Sequence, residues 1–413
     1  MNTNDNAIRS FLLLLLIVSG SVFISCNKPQ SYIGPISDDK TKPGIVTNVK
    51  VSNFNGGAYI TYTLPKSDNI LYVQADYVIN DKTGARLQEK SSYFSDTITV
   101  KGFAQSKDYS VTLRVISRAN IASDSVTITV HPDTPAYLLV AKTLSMSPDF
   151  SGVRVLGTNN TQQDVGVVLL YNDPTYKKYT IRQQTYSNFK AVNFAARGFD
   201  TLPKQMAIYA TDPWGNASDT IYQTVNPLYE TQLDKNKFFV YNLTSDSPIG
   251  FGWVTTDLWD NDINTGWHTP QPTLVLPPIC SFGLGISAKL SRFLLWQRGG
   301  SYYWDHGNPK VFTIWGSNAA QPADFQAPMY ADVGTVIGDW TNIGNFNFPY
   351  PPSGNPPKQA TSSDKAWSDA GVEFDLPFGI PKVRFLRVAV PQNWDGSNNY
   401  AHIMELTFFG DPR

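Results

Sequence analysis

Asp260, Asp262 and Thr265 stand at i, i+2 and i+5 in the segment 258–268, a polar turn closed by Gly266 between large apolar flanks. Oxygens at that spacing fold inward around a small hard cation, which takes about six to eight oxygen ligands. The competing reading is that the same groups cap their own turn, as Asp and Asn commonly do. The end of the chain adds weight to the cation, because the apolar run 401–410 carries a single carboxylate, Glu405. A lone carboxylate in such a strand needs a partner, and calcium is the expected ion. Two glycine-bearing aromatic loops offer a different chemistry. Residues 297–307 hold Arg298, Tyr302, Trp304 and His306, and residues 391–400 hold Asn393, Trp394 and Asn398. Aromatic faces stack on the C–H surface of sugars while Arg, Asn and His bond to hydroxyls. Each aromatic can also be read as loop-packing core.

The same loops carry Asp305 and Asp395, and a glycosidase needs two carboxyl groups roughly 5 to 9.5 Å apart. The chain has only four histidines, none at metal or triad spacing, so a binding protein rather than an enzyme is expected. A third reading is a protein-interaction or adhesion subunit, since protein partners are also gripped by exposed aromatics.

The elements that would position these groups are strands. The chain has 413 residues, a formal net charge of −1, and 10 Trp, 21 Tyr and 23 Phe. The balanced charge gives no electrostatic footprint for nucleic acid. Residues 1–25 read as a signal peptide, with an apolar run too short to span a membrane comfortably. Ser25-Cys26 resembles the lipobox of bacterial lipoproteins. That resemblance implies acylation of Cys26, with each buried methylene adding about 0.8 kcal/mol of membrane affinity. Residues 26–45 read as a tether. With Cys26 acylated, Cys280 has no disulfide partner and reads as a small buried thiol.

From 46 to 131 strands alternate, with Ala58, Ile60, Tyr62 and Leu64 on one face, then Leu71, Val73, Ala75, Tyr77 and Ile79. Tyr109 to Val115 resembles a fibronectin type III strand with Tyr109 as a tyrosine corner. A shift of 95 residues lays Leu113, Val115, Ala122-Ser123-Asp124 and Val126 on Ile208, Ala210, Ala217-Ser218-Asp219 and Ile221. Residues 132–227 therefore read as a second, Ig-like sandwich. Trp214, in a turn of that copy, is either a binding tip or a ring folded back over its own sandwich.

Residues 232–413 resemble the discoidin, or coagulation-factor type C, family of β-sandwiches. Leu258, Asp260, Asp262, Thr265 and Trp267 match its opening pattern, with Asn261 where Gly is usual; Asn tolerates the left-handed backbone this requires. Phe312 to Ser317, Gly338 to Thr341 and Val383 to Val388 match later segments in order. The resemblance implies a calcium site formed by the side chains of Asp260, Asp262, Thr265 and Glu405 and the backbone carbonyls of Asp257 and Met404. The expected fold is all-β, three sandwiches in series. The whole order resembles the surface lipoproteins of glycan-uptake loci in gut-type Gram-negative bacteria. That implies a lipid-anchored protein of the outer membrane facing the cell surface, with a glycan and an outer-membrane transporter as partners.

Overall fold

The computed structural model describes residues 36–413. The signal peptide, Cys26 and the start of the tether lie outside them. Among the described residues the α-helices are two short ones, Ala136–Ala141 and Ser362–Asp369, and no helix is long and apolar enough to cross a membrane.

The first sandwich sets the strands Ala85–Ser92, Ile70–Asn80, Tyr109–Ser117 and Val126–Val130 against Thr47–Phe54, Gly57–Thr63 and Thr97–Lys101. Period-two patterning buries one face of each strand: Ala58, Ile60 and Tyr62 from one layer meet Val73, Ala75 and Tyr77 from the other. The inward face expected to begin at Leu71 begins instead at Ile70, because a register shift between Ile70 and Tyr72 turns Leu71 out of step. A shift of one residue reverses which side chain faces the core. Tyr109 is a tyrosine corner, its hydroxyl accepting from the Gln105 N–H at 3.2 Å.

The second sandwich repeats the arrangement. Lys178–Ser187, Val165–Asp173, Lys204–Thr211 and Ile221–Val225 face Ala191–Arg197, Gly152–Thr158 and Ser145–Asp149. The internal repeat is visible at atomic level. Ser123 Oγ accepts from the Val115 N–H at 2.9 Å, and its counterpart Ser218 Oγ accepts from the Ala210 N–H at 3.0 Å. The bridges Ile116 to Ala122 and Thr211 to Ala217 fall at the same offset. Trp214 neither forms a tip nor folds over its own sandwich. Its ring lies over Gly102 of the first sandwich, where a Cβ would stand 2.9 Å from it. Beside it, Asn216 Nδ2 donates to the Gly102 carbonyl at 3.0 Å and Asn216 Oδ1 accepts from Asn80 at 2.8 Å.

The third sandwich is built around one strand of 18 residues, Ile279–Trp296. Its first part pairs with Val383–Asn393, which continues through Pro309–Ser317 to Trp340–Asn347; its second part pairs with Glu405–Asp411 and Val372–Asp375. The turn between the two parts needs Gly285. Its φ is +68°, and a Cβ there would stand 2.3 Å from the Lys237 carbonyl oxygen. The two layers enclose Phe282, Phe293, Phe312, Phe408, Trp267 and Trp304. Cys280 is buried at the start of the long strand, and burial pushes its thiol well up. Salt bridges tie this sandwich to the second: Arg197 Nη1 reaches Asp375 at 2.7 Å and Glu373 at 3.2 Å, and Arg292 links Glu373 to Glu230.

Candidate functional site

At one end of the third sandwich the short strands Trp267–His268 and His402–Ile403 pair, setting His268 opposite His402. The loop that follows Ile279–Trp296 closes over them through Asn308, whose side chain is fully buried. Asn308 Oδ1 accepts from the Arg298 N–H at 2.7 Å, and its Nδ2 donates to the carbonyls of Arg298 at 3.1 Å and Tyr302 at 2.7 Å. Gly307 must be glycine here, because a Cβ would stand 2.8 Å from the Tyr400 ring and 2.9 Å from that of His402. The result is a cavity of about 340 Å³, within the range of small-molecule sites, ~300–1,000 Å³.

Its lining is polar and aromatic. The Arg298 guanidinium lies 3.9 Å from the Tyr302 ring centre and 4.7 Å from that of Trp253. The rings take up its flat surface, and its N–H edges meet no acceptor among the described residues. His268 Nδ1 donates to the Thr269 carbonyl at 2.6 Å, leaving Nε2 as an acceptor. His402 has no exposed surface and neither ring nitrogen has a partner. A buried polar group without a partner is uncommon in a folded protein, and this one lines the cavity. Burial, then the neighbouring His268, Arg298 and His306, hold His402 well below the ordinary imidazole range; burial likewise lowers His268. These two rings are therefore neutral at pH 7, His268 leaving Nε2 as an acceptor and His402 enclosed behind it. At the mouth, Phe251 is 70% exposed in a left-handed backbone at φ +60°, and His306 is left-handed at +52°. Non-glycine residues in that region are strained and gather at functional sites.

Of the residues expected from sequence, Arg298, Tyr302 and His306 line this cavity. Trp304 does not, which corrects its reading as an outward platform. It is 1% exposed, its indole donates to the Pro349 carbonyl at 2.7 Å, and its ring stacks on Trp367. Phe348, edge-on at 6.3 Å, closes another side of this ring. Asn393 is also buried, bonding Tyr400 O, Ser397 Oγ and the N–H groups of Gly396 and Asn398, while Asn398 Oδ1 accepts from the Asn393 N–H. Both asparagines knit the loop that holds Tyr400 rather than facing a ligand. Trp394 is half-buried on a separate patch, edge-on to Tyr350 at 5.1 Å with Lys310 over its ring. Sequence reasoning missed Phe251, Trp253, His268, Gln271, Tyr400 and His402. The available signal was that three of the four histidines, His268, His306 and His402, fall in the last 150 or so residues.

The residues expected to hold calcium are hydrogen-bonded to one another. Asp260 accepts from the Asp262 N–H at 2.8 Å and from Thr265 Oγ1 at 2.7 Å, and Asp262 accepts from Asn264. Asn261 has the expected left-handed backbone, φ +68°. Asp257 Oδ2 accepts from the Val254 N–H, and Met404 is buried with its N–H on the Trp296 carbonyl. The donor set is all oxygen, as a hard cation prefers. Both oxygens of Glu405 are nevertheless engaged, Oε1 by the Lys235 ammonium and Oε2 by the Asn261 N–H at 3.0 Å. A metal ion bound to Glu405 would therefore share that carboxylate with the Lys235 ammonium.

Three family models match, each described as a domain of unknown function: DUF4959 over residues 43–132, DUF5126 over 133–236 and DUF5000 over 259–410. No curated protein matches the chain. Among solved structures the chain is similar to a SusE-like protein, at 26% identity over 68% of this chain and 100% of that one, with a TM-score of 0.41. It is similar to the F5/8 type C domain of a Bacteroides fragilis protein, at 15% identity over 45% of this chain and 98% of the other, TM-score 0.28. It is also similar to a two-domain fibronectin type III segment of chicken tenascin, at 12% identity over 44% and 98%, TM-score 0.22.

Proposed function

We propose that this chain is a non-catalytic cell-surface lipoprotein that binds a glycan for a polysaccharide-uptake system, with the third sandwich as its binding head. The observation that carries the proposal is the cavity in which an acceptor-free guanidinium and the free Nε2 of His268 stand beside an exposed aromatic rim. The non-catalytic reading is supported by the lining, which among the described residues contains no carboxylate. Asp395 is held by the Tyr400 hydroxyl and by the Ser397 N–H at 2.7 Å. Burial acts to raise its carboxyl, but these hydrogen bonds outweigh it and hold the group below its ordinary value. A glycosidic acid catalyst requires the opposite shift. Anchoring through Cys26 and partnership with an outer-membrane transporter belong to the same proposal and rest on the sequence.

The test is a broad glycan array with the purified protein, followed by titration of the hit. Trp253→Ala removes the ring beneath Arg298 and is expected to weaken binding by about 1–3 kcal/mol, by analogy with aromatic stacking on bases. Trp394→Ala, on the separate patch, is expected to bind as the parent does. Equal loss in both variants would move the site, and no hit at all would favour a protein partner.

A further inference from the structure

We infer that the ligand of this cavity is an acidic saccharide, one bearing a carboxylate or sulfate; this rests on the glycan-binding reading above. The cavity wall carries Arg298 without an acceptor and His268, His306 and His402, with no Asp or Glu among its lining. A guanidinium enclosed by Tyr302 and Trp253 is shielded from water on its flat surface, which strengthens its attraction for an anion at its edge. Its planar fork of N–H donors matches a carboxylate or sulfate in two parallel bonds. Two carboxylates stand behind the wall: Asp395, held by the Tyr400 hydroxyl, and Asp305, which is turned toward its own backbone and accepts the His306 N–H at 2.9 Å. Asp305 stands 3.6 Å from His306 Nδ1, and neither carboxylate pairs with Arg298. Leaving a half-buried cation without a counter-ion is unfavourable unless the ligand supplies one.

The experiment compares uronate-containing and sulfated oligosaccharides with their carboxyl-reduced and desulfated counterparts by calorimetric titration at low and high salt. Removal of the anion is expected to weaken binding about tenfold or more, the loss of one charge-assisted pair. The affinity of the acidic form is expected to fall with added salt. Equal affinity for the neutral counterpart would overturn the acidic assignment and leave the glycan reading standing. Failure of every saccharide, acidic or neutral, would overturn both.

A different observation carries a second inference: the structure assigns to Lys235 the place of the cation that the loop at 258–268 is expected to hold. Its ammonium lies on Glu405 Oε1 and on Asn261 Oδ1, the latter at 3.0 Å, while the Asn261 N–H closes the triangle on Glu405 Oε2. The side chains of Lys235 and Glu405 are 9% and 2% exposed. Asn261 is the one departure from the resemblance's opening pattern. A glycine there would lack the amide oxygen that receives the ammonium, so the departure and the lysine form one device. It joins the loop to the start of the final strand, and the residues between, Trp267–His268 and His402–Ile403, pair with each other.

The parent protein is accordingly expected to melt at the same temperature in calcium and in chelator. Lys235→Met leaves Glu405 buried and unpaired, and its melting temperature is expected to fall by roughly 10 °C, with partial recovery in calcium. Asn261→Gly, a milder change, is expected to make the melting temperature respond to calcium. Stoichiometric calcium binding by the parent, or a parent melting temperature that drops in chelator, would overturn the assignment. An unchanged melting temperature in Lys235→Met would overturn it equally.

Discussion

Arg298→Ala is expected to abolish measurable glycan binding while the third sandwich stays folded. The guanidinium supplies the cavity's only fixed charge, and hydrogen bonds to a charged group contribute about 1.5–3 kcal/mol each. One such bond lost lowers affinity roughly 10- to 150-fold, enough to take weak binding below detection. The loop itself does not depend on this side chain, because Asn308 grips the Arg298 backbone at both its N–H and its carbonyl. Circular dichroism and melting temperature are therefore expected to match the parent closely. Arg298→Lys keeps the charge but loses the fork and its stacking on Tyr302, so it should recover only part of the affinity. Parental affinity in Arg298→Ala, measured by calorimetric titration, would remove the arginine from the site.

The largest expected loss of stability comes from a different arginine. Arg387 has no exposed surface, yet every arm of its guanidinium is engaged. Nε donates to Ser281 Oγ at 2.8 Å, Nη1 to the Phe325 carbonyl at 2.7 Å, and Nη2 to Ser245 Oγ at 2.8 Å and Asp246 Oδ1 at 3.0 Å. Asp246 shares the burial, which raises its carboxyl against the pull of Ser281, the Leu243 N–H and Arg387. Removing one partner from such a pair costs about 3–5 kcal/mol because the other is left as an uncompensated buried charge. Arg387→Met is expected to lower the melting temperature of the domain by roughly 6–20 °C. Adding Asp246→Asn should return part of the loss by removing the orphaned charge. A melting temperature equal to the parent's in Arg387→Met would show that the network does not determine stability.

The parts of the molecule legible in the sequence are those set by local pattern. Gly57–Thr63 has one wet and one dry face, so its alternation reads directly. The Ser123 and Ser218 turns read because each serine bonds its own neighbourhood in the same way. Arg298, Tyr302 and His306 were found because one loop carries all three. Phe251, Trp253, His268 and His402 come from three other segments, and only the pairing of His268 with His402 brings them together. Trp304 was misread because glycines around an aromatic say that the chain turns, not which way the ring faces. What decides it is Pro349, distant in sequence, whose carbonyl receives the indole. Lys235 sits in a charged run that reads as a passage between domains. Its ion pair with Glu405 depends wholly on how the ends of the third sandwich meet.

Ile279–Trp296 gives the third sandwich an unusual mechanical character. Its opening residues are zipped to Val383–Asn393 and its closing residues to Glu405–Asp411, so one ribbon is shared by both layers. Neither can peel away without drawing on the other, and partial opening of this unit approaches the free energy of complete unfolding. The ribbon runs straight on through Gln297 into Arg298. A pull delivered at that arginine is directed along the strand, in shear against ladders on both sides, and the domain answers such a load all at once or not at all.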